Sequence, residues 1–458
     1  MTPLPPKPEA RLEKVSLWRY LRLFRQDILS AQPARLYRAW MAEFRTPFFR
    51  SYLVNDPAVI QKVLTENPDD FPKSDRVSAG LRPLLGDSVF LTNGAVWKRQ
   101  RRMIDPAFSG GRLHETFPAM MAAAQAGVAR LAAQADGRPQ EIEAITSHIA
   151  ADVIFRTLFS IPIEDETARK VFDAFRRYQR SQPILNLAAF VRGPAWMPRF
   201  FRRETRQTAK TIRRLIVQLT QERLALIAKG QAPDDLATKI LTTKDPQTGA
   251  TFTLQEMVDQ VAIFFLAGHE TSASALAWSL YLVAMHPEWQ DKLRAEARAY
   301  DDSFAQLSSL NQTRNVFRET LRLYPPVPMM VREAARGQIF RGRDVKPGAQ
   351  VVLSPWHLHR HTRLWDNPDG FDPTRWDSDN GKACQRTAYM PFSAGPRICS
   401  GAGFALIEGV VLLSALTRDY RFTVVPDSPP VPVAHLTVRS KEGIWLHITP
   451  KVPACVSQ

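Results

Sequence analysis

The sequence predicts a mainly α-helical fold with a small β-rich region. The apolar residues of 112–180 and 200–229 recur at helical spacing, and residues 254–285 form the longest apolar run of the chain. Short strand-like segments separated by turn residues occur at 331–354 and 420–450.

The length and the cysteine content limit the class of protein. The 458 residues suggest two or three domains or one large one, and no internal repeat or clean boundary divides them. Three scattered cysteines, Cys384, Cys399 and Cys455, are too few for a disulfide framework, a zinc site or a cysteine-ligated iron–sulfur cluster. This usage indicates a reducing compartment, so we expect a cytoplasmic protein.

The charge balance points to an acidic partner. The formal net charge is +16, but the basic residues are spread along helical segments without a nucleic-acid-binding motif, so we predict no nucleic acid partner. Residues 1–10 hold four prolines and lack the apolar core of a secretory signal. Residues 17–25 are too few and too basic to span a membrane, so we predict no transmembrane anchor. A packed helix is the favoured interpretation of this segment, and a helix on a membrane surface is the alternative.

The first hundred residues read as short elements. We expect residues 1–15 to be flexible and residues 16–72 to mix short helices with strand-like pieces, one of them at 48–54. Asp56 before a proline is a helix start, and residues 73–95, with three glycines, predict a long loop. Trp97 and Arg101 are spaced to share one helix face. The apolar connector 183–190 is expected to line a lipophilic pocket, to touch a membrane or to join the core.

The apolar run 254–285 predicts a central buried helix. Polar residues cluster at its middle, which would be costly in lipid, so the run is not read as a membrane span. Gly268 costs about 1 kcal/mol relative to alanine, and Thr271 can bond to the carbonyl four residues earlier. Together with Glu270, these residues predict a local distortion that leaves room for a ligand beside the helix.

The last third mixes helices and strands. Residues 287–299 and 311–324 predict helices, 361–391 an irregular polar stretch, and 420–450 a β-hairpin region that turns near 441–443. His357, His359 and His361 alternate, so on a strand they would share a face and could bind a metal. We favour the alternative that these histidines form no metal site.

A short box around Cys399 carries the strongest chemical signal. Cys399 lies in a turn aimed at the start of a helix predicted to run from about 402 to 417, with Arg397 two residues upstream. Both the helix dipole and Arg397 would lower the pKa of a thiol, and a thiolate binds metals. Gly395 and Gly401 would let the backbone approach a flat group, and Phe392 offers an aromatic wall.

Five motifs in order resemble those of the cytochrome P450 family, the haem-thiolate monooxygenases. They are Trp97-x-x-x-Arg101, Ala267-Gly268-His269-Glu270-Thr271, Glu319-Thr320-Leu321-Arg322, Phe371-Asp372-Pro373-Thr374-Arg375 and the Cys399 box. The resemblance implies one large helical domain over 41–458 after an N-terminal extension at 1–40. It also implies haem b, iron protoporphyrin IX, with Cys399 as the axial thiolate ligand of the iron.

The resemblance assigns roles to further residues. Glu319, Arg322 and Arg375 would form a buried structural triad. Glu270 and Thr271 would be the catalytic pair that delivers protons to dioxygen. The haem carboxylates and ring would be held by Trp97, Arg101, Arg332, Phe392, Gly395, Arg397 and Gly401. The substrate pocket would be lined by Phe90, Phe264, Ala267, Val327, Met330 and Leu436.

The implied activity is hydroxylation or epoxidation of a lipophilic small molecule with dioxygen and two electrons. No flavin or iron–sulfur motif occurs in the chain, so a separate ferredoxin or flavodoxin-type donor with its reductase is expected, with Arg99 and Arg102 as docking contacts. Two alternatives keep the haem. One is a peroxide-driven peroxygenase or haem isomerase, and the other is a non-enzymatic haem sensor.

Overall fold

A 32-residue helix, α10 (Leu254–Met285), runs through the middle of the molecule. The structure is a computed structural model that describes residues 3–12, 15–45, 50–181, 203–434 and 436–451. Its start has a reciprocal cap, because the Thr253 hydroxyl accepts from the Glu256 N–H while the Glu256 carboxylate accepts from the Thr253 N–H. Nearly all of its apolar side chains are buried, as the sequence predicts. The central helix is therefore the element on which the others pack.

Fourteen further helices surround α10 in the described residues. They are α1 (Leu17–Gln26), α2 (Pro57–Gln61), α3 (Asp75–Leu85), α4 (Gly94–Ile104), α5 (Gly110–Ala132), α6 (Ile142–Phe159), α7 (Glu166–Ser181), α8 (Arg203–Ala228), α9 (Leu236–Thr242), α11 (Pro287–Ala299), α12 (Asn311–Leu323), α13 (Pro355–Leu358), α14 (Asp379–Thr387) and α15 (Ala402–Asp419). Helices α6, α8, α12 and α15 pack directly on α10, and one large apolar core joins them.

The strands are short and lie at the edges of the helical body. They are β1 (Met41–Arg45), β2 (Arg50–Val54), β3 (Pro139–Glu141), β4 (Met330–Glu333), β5 (Gln338–Phe340), β6 (Arg343–Val345), β7 (Gln350–Leu353), β8 (Tyr420–Val424), β9 (Pro432–Ala434), β10 (Val438–Ser440) and β11 (Trp445–Pro450). The largest sheet has the order β1-β2-β7-β4, and only its β2–β7 pair is parallel. This mainly helical architecture with small sheets is the one predicted from the sequence.

Two sequence predictions fail in the first hundred residues. Residues 75–85 form α3 inside the stretch predicted to be a loop. The predicted flexible N-terminus is tied down in its described part: Lys7 pairs with Asp369 at 2.8 Å, and the Tyr324 hydroxyl donates to the Pro6 carbonyl at 2.8 Å. Helix α1 is present, with Tyr20 and Phe24 turned inward and Trp18 82% exposed.

Three further predictions need correction. Strands β10 and β11 flank 441–443 but do not pair with each other, because β10 pairs with β9 and β11 pairs with β3 and β8. The stretch predicted to be irregular contains α14. Helix α10 is unbroken at Gly268, so the predicted distortion does not interrupt it; a Cβ there would lie 2.4 Å from the Ile154 Cδ1 atom, so this flexible side-chain end would have to shift if the glycine were replaced.

The alternating histidines do not lie together on a strand. His357 lies on α13, and the Nε2 of His359 accepts from the Met390 N–H at 2.9 Å, so these side chains share no strand face. Burial lowers the pKa of each to about 3. The described residues contain no cluster of three His, Cys, Asp or Glu side chains able to hold a metal ion. The connector 183–190 and Cys455 lie outside the described residues.

Among the described residues, no helix is both long enough and apolar enough to cross a membrane.

Candidate active site

A cavity of about 900 Å³ opens between α10 and the turn that precedes α15. Its size falls within the range typical of ligand pockets, and most of its lining is apolar. The lining contains all six residues predicted for the substrate pocket: Phe90, Phe264, Ala267, Val327, Met330 and Leu436. It also contains every residue predicted to hold the cofactor except Gly395, as well as Glu270 and Thr271.

Cys399 lies on the wall of this cavity, at the end of a turn held by hydrogen bonds. Its N–H donates to the Phe392 carbonyl at 2.9 Å, and Arg101 donates to the Ile398 carbonyl at 2.7 Å. Ser400 donates to Asp105 at 2.9 Å, and Asp105 also accepts from Arg101 at 2.9 Å. Arg101 on α4 and Asp105 directly after this helix therefore hold the turn that carries the sulfur.

The electrostatics of Cys399 differ from the sequence prediction. Burial raises the pKa of the thiol, while the Gly401 N–H and the Arg101 charge act in the opposite direction. Arg397, which we expected to lower the pKa, instead stacks its guanidinium 4.1 Å above the ring of Trp97. A bound cation would deprotonate a coordinating thiol, whatever its pKa in the free protein.

Gly395 has a backbone conformation and a close neighbour that both require glycine. Its φ of +66° is in the left-handed region, and a Cβ would lie 2.0 Å from the Leu64 carbonyl oxygen. The close approach that requires a glycine is therefore to the backbone of the chain itself. Gly401, by contrast, lines the cavity.

One side of the cavity is basic. Lys73, Arg332 and Arg397 lie in its lining beside Trp97 and Arg101. Burial, followed by the charges of Arg397 and Arg332, holds the pKa of Lys73 well below its usual value. Burial lowers the pKa of Arg332 to about 10. The Nη1 atom of Arg397 is buried without a hydrogen-bond partner among the described residues, so this wall suits a ligand with anionic groups.

The middle of α10 brings the second pair of predicted residues to the cavity. Thr271 donates to the Ala267 carbonyl at 2.5 Å, which is the bond expected from the sequence. Both carboxylate oxygens of Glu270 accept hydrogen bonds, Oε1 from Thr437 at 2.6 Å and from Arg439 at 2.7 Å, and Oε2 from Gln179 at 3.0 Å. Glu270 is thus connected to the β9–β10 hairpin.

Glu319, Arg322 and Arg375 meet away from the cavity, at the end of α12. The Glu319 carboxylate accepts two bonds from Arg322, at 2.9 and 2.7 Å, and one from Arg375 at 3.3 Å. The remaining guanidinium N–H groups donate to carbonyls of the loop before α14, among them those of Pro368, Gly370 and Asn367. This cluster joins α12 to the segment that leads toward the Cys399 turn.

The proposed docking arginines are both engaged within the chain. Arg99 donates to Glu256 at 2.6 Å, and Arg102 donates to both oxygens of Asp245 at 2.9 and 3.0 Å. The Arg102 guanidinium holds the pKa of Asp245 well below its usual range. Each guanidinium is paired with a carboxylate of the chain, so the charge that these two arginines offer to an acidic donor is largely offset.

The sequence as a whole matches a known protein family. A model of the cytochrome P450 family matches residues 41–447. This chain belongs to the cytochrome P450 family. It is therefore an oxidoreductase of the monooxygenase type that uses a haem iron, dioxygen, redox partners and a small-molecule substrate.

Individual relatives agree with this cytochrome P450 assignment. The chain is 33% identical over 397 residues to cyclooctat-9-en-7-ol 5-monooxygenase from Streptomyces melanosporofaciens, covering 84% of this chain and 83% of the relative. It is 28% identical over 413 residues to a cytokinin hydroxylase from Arabidopsis thaliana, covering 87% and 78%. The heme domain of a cytochrome P450DA mutant superposes with a TM-score of 0.80 at 23% identity, covering 99% of each chain, and shows the same fold.

The residues present in this P450 fit a haem. The Cys399 sulfur faces one part of the cavity, and the basic wall suits the carboxylates of the group, because the Arg397 Nη1 atom has no hydrogen-bond partner among the described residues. The sequence analysis did not identify Lys73, which lies in the stretch predicted to be a loop. It also did not identify Ser272 and Glu408, which line the same cavity. A lone acid within the apolar helix after Cys399 was a signal that could have directed attention to Glu408.

Proposed function

We propose that this chain hydroxylates or epoxidises a lipophilic small molecule, with haem b held by Cys399. One oxygen atom of dioxygen enters the substrate, and two electrons and two protons convert the other into water. A single cavity that contains the sulfur, the basic wall, the Glu270–Thr271 pair and an apolar lining is the observation that carries this proposal.

The cofactor would be held by Cys399 and by the basic residues of the cavity lining. Haem, when bound, supplies the iron at which dioxygen is reduced and the substrate oxidised. Cys399 would provide a thiolate ligand to the iron, and Lys73, Arg332 and Arg397 would offer charge-assisted hydrogen bonds to the carboxylates. Trp97 and Arg101 complete that side, where the indole also supports the Arg397 guanidinium.

Glu270 and Thr271 would manage protons and oxygen within the cavity. The Thr271 hydroxyl donates to Ala267 and keeps its lone pairs available to accept a hydrogen bond from a cavity water. Glu270 sits one residue earlier and reaches the surface side through Thr437 and Arg439. A proton can therefore pass from that side to Glu270 and on to the Thr271 region.

The lining favours an apolar substrate. Phe90, Phe264, Val327 and Met330 present hydrocarbon and thioether surface, and burial of such surface gains about 25 cal/mol per Å². The first substrate to test is cyclooctat-9-en-7-ol, because the relative that acts on it is 33% identical over most of both chains.

We propose a separate ferredoxin or flavodoxin-type protein, with its reductase, as the electron donor. The formal net charge of +16 favours association with an acidic partner. Raising the ionic strength from 0.01 to about 0.5 M should slow electron transfer markedly, because exposed charges are then screened. A rate that is independent of salt would contradict electrostatic docking.

The function is tested by turnover with isotopically labelled dioxygen. Wild-type protein with donor, reductase and cyclooctat-9-en-7-ol should give product carrying one labelled oxygen. Thr271→Ala should retain haem but divert electrons to hydrogen peroxide, lowering product per electron by about 10²-fold. Ser279→Ala is the matched control, because Ser279 makes the same bond to a carbonyl four residues earlier, at 2.8 Å, but lies outside the cavity lining.

Two results would contradict this proposal. Product formed at full rate from hydrogen peroxide alone, without electrons, would favour the peroxygenase alternative. Normal coupling in Thr271→Ala would remove the proton-handling role of that hydroxyl.

A further inference from the structure

A second pocket opens on the surface of the molecule beside the start of β1. Its volume of about 320 Å³ is at the lower end of the range typical of ligand pockets. It forms where the segment before β1, the turn between β5 and β6 and the loop after α13 meet. None of the described residues that line it also lines the active-site cavity. We call it the arginine pocket, because four arginines line it: Arg38, Arg341, Arg343 and Arg363.

Two of these arginines have no acidic partner. Arg38 and Arg363 are exposed, and within the described part of the chain their guanidinium groups form no ion pair and no hydrogen bond. No acidic side chain belongs to the described lining of the pocket. Two positive charges are therefore available to an anion, and the forked N–H groups of a guanidinium match the oxygens of a phosphate or a carboxylate.

The other two arginines are partly neutralised by acids outside the lining. Arg341 pairs with Asp56, whose carboxylate also accepts from the backbone at the start of α2. Arg343 lies 3.5 Å from Glu43, but the same carboxylate is closer to Arg45, at 2.9 Å. Because Glu43 is shared between guanidinium groups, the pocket keeps an excess of positive charge.

Trp40 adds an aromatic surface to the pocket. The guanidinium carbons of Arg341 and Arg363 lie 5.9 and 5.7 Å from the centre of its ring. The ring also stacks on the buried His361, with centroids 4.4 Å apart, which holds it in place. A fixed indole between two cations suits an anion that is attached to a flat or apolar group.

Arg341 has a backbone conformation that is uncommon for an arginine. It forms the two-residue turn between β5 and β6 with Gly342, and the φ angles of +49° and +74° are those of a type I′ turn. Glycine, asparagine or aspartate is the usual first residue of such a turn, because other side chains are strained there. Strain of this kind is found at ligand-binding positions, where the side chain serves a purpose other than stability.

We propose that the arginine pocket binds a phosphate monoester, with its phosphate oxygens held by Arg38, Arg341 and Arg363 and its organic part against Trp40. A phosphate monoester carries close to two negative charges at neutral pH, which matches the two arginines without acidic partners. The pocket has room for an organic group beside the phosphate. The site shares no described residue with the active-site cavity, so the inference does not rest on the proposed monooxygenase function.

Calorimetric titration of the haem-loaded protein with phenyl phosphate tests the site. Wild type should bind this ester with a Kd below about 1 mM. Benzoate, which has the same ring but one negative charge, should bind at least about tenfold more weakly. Arg38→Gln and Arg363→Gln should each weaken binding of phenyl phosphate by about tenfold. Arg214→Gln is the matched control, because it removes the same charge from an exposed position on α8 and should leave the affinity unchanged.

Arg341→Asn separates ligand binding from stability. Asparagine tolerates the left-handed conformation, and the pair with Asp56 is partly exposed, so the thermal unfolding midpoint should stay unchanged or rise. Binding of phenyl phosphate should nevertheless weaken by about tenfold, because a donor is lost. A lower midpoint together with unchanged binding would show that Arg341 serves the turn and not a ligand.

The phosphate can be carried by a soluble ester or by the headgroup of phosphatidic acid. Sedimentation with vesicles of phosphatidylcholine that contain about a tenth phosphatidic acid distinguishes these two sources. Binding to vesicles that is weakened by Arg363→Gln but not by Arg214→Gln would support the site with a lipid carrier. Saturable binding of phenyl phosphate, with vesicle binding equal in the two variants, would support it with a soluble carrier.

Three results would overturn the proposal. The first is the absence both of phenyl phosphate binding and of vesicle binding that depends on Arg363. The second is an affinity for benzoate equal to that for phenyl phosphate, which would exclude a site selective for a phosphate. The third is binding that is equal in wild type, Arg38→Gln and Arg363→Gln, which would place the anion elsewhere on the protein.

Discussion

At the residue scale, Glu319 balances two arginines in a site with almost no solvent. Glu319 and Arg322 are fully buried, and Arg375 is 4% exposed. The guanidinium groups donate their other N–H groups to loop carbonyls, so the cluster is well satisfied. Loss of the acid would leave two buried positive charges facing each other.

Glu319→Gln should therefore lower the free energy of unfolding by about 3–5 kcal/mol, the usual cost of removing one partner from a buried pair. Urea denaturation followed by circular dichroism measures this change. Glu166→Gln is the control: Glu166 pairs with Lys170 on the surface of α7, and no measurable change is expected. Equal effects in the two variants would contradict the structural role of the buried cluster.

Buried acids also make stability depend on pH. Burial raises the pKa of Glu408 to about 8 and that of Glu143 to about 7, both above the value of about 4.3 in an unfolded chain. Between these values the unfolded state releases a proton that the folded state retains. The contribution of these two carboxyl groups to the free energy of unfolding is therefore fully present below about pH 4, and it is lost as the pH rises through 7 to 8.

We expect Glu408→Gln to flatten this decline. The raised pKa of Glu408 corresponds to a loss of about 5 kcal/mol in the free energy of unfolding between pH 4.5 and 8. Thermal unfolding midpoints of wild type and variant, measured across that range, should be similar at low pH, where Gln resembles the neutral carboxyl, and should diverge as the pH rises and wild type loses stability. Glu204→Gln, an exposed control on α8, should follow wild type throughout. Parallel curves would show that Glu408 is ionised in the folded protein.

At the scale of elements, close contact between α6 and α10 depends on Gly268. A Cβ at this position would lie 2.4 Å from Cδ1 of Ile154, the flexible end of a side chain. The gain in helix propensity from Gly268→Ala, about 1 kcal/mol, is opposed by an overpacking cost of about 1–3 kcal/mol. We expect a net loss of stability.

A double-mutant cycle checks this contact. Ile154→Val should reduce the cost of Gly268→Ala, giving an interaction energy of about 0.5–3 kcal/mol. Gly111→Ala on α5, where an added Cβ meets open space, should be neutral or stabilising. Additive effects of the first two substitutions would mean that Ile154 does not limit the approach of the helices.

The accuracy of the sequence predictions followed the periodicity of each element. The bounds predicted for the central helix and for 287–299 match α10 and α11, because both have long apolar patterns and clear start signals. Helix α3 was missed because Gly80 and Pro83 lower its intrinsic propensity. Packing against α8 and α10 stabilises α3, and Arg213 on α8 donates a hydrogen bond to the Leu84 carbonyl of α3.

At the scale of the whole molecule, the site residues that local motifs predict lie around one cavity. Other residues of the same cavity belong to no local motif, and the sequence analysis did not identify them. Cys399 and Trp97 could be placed by motif alone, and both line the cavity. Lys73 and the Ser272–Glu408 pair lie on separate elements, so no local pattern predicts their meeting. The pairing of Arg99 and Arg102 with distant acids was beyond sequence reasoning for the same reason.

The most direct test of the account is the carbon monoxide difference spectrum of the reduced, haem-loaded protein. Thiolate ligation by Cys399 predicts a strongly red-shifted Soret band in wild type, and its loss in Cys399→Ala and persistence in Cys384→Ala, whose sulfur donates to the Leu364 carbonyl away from the cavity. A wild-type Soret band of the kind given by histidine- or thiol-ligated haem would contradict the central claim that Cys399 holds the iron as a thiolate.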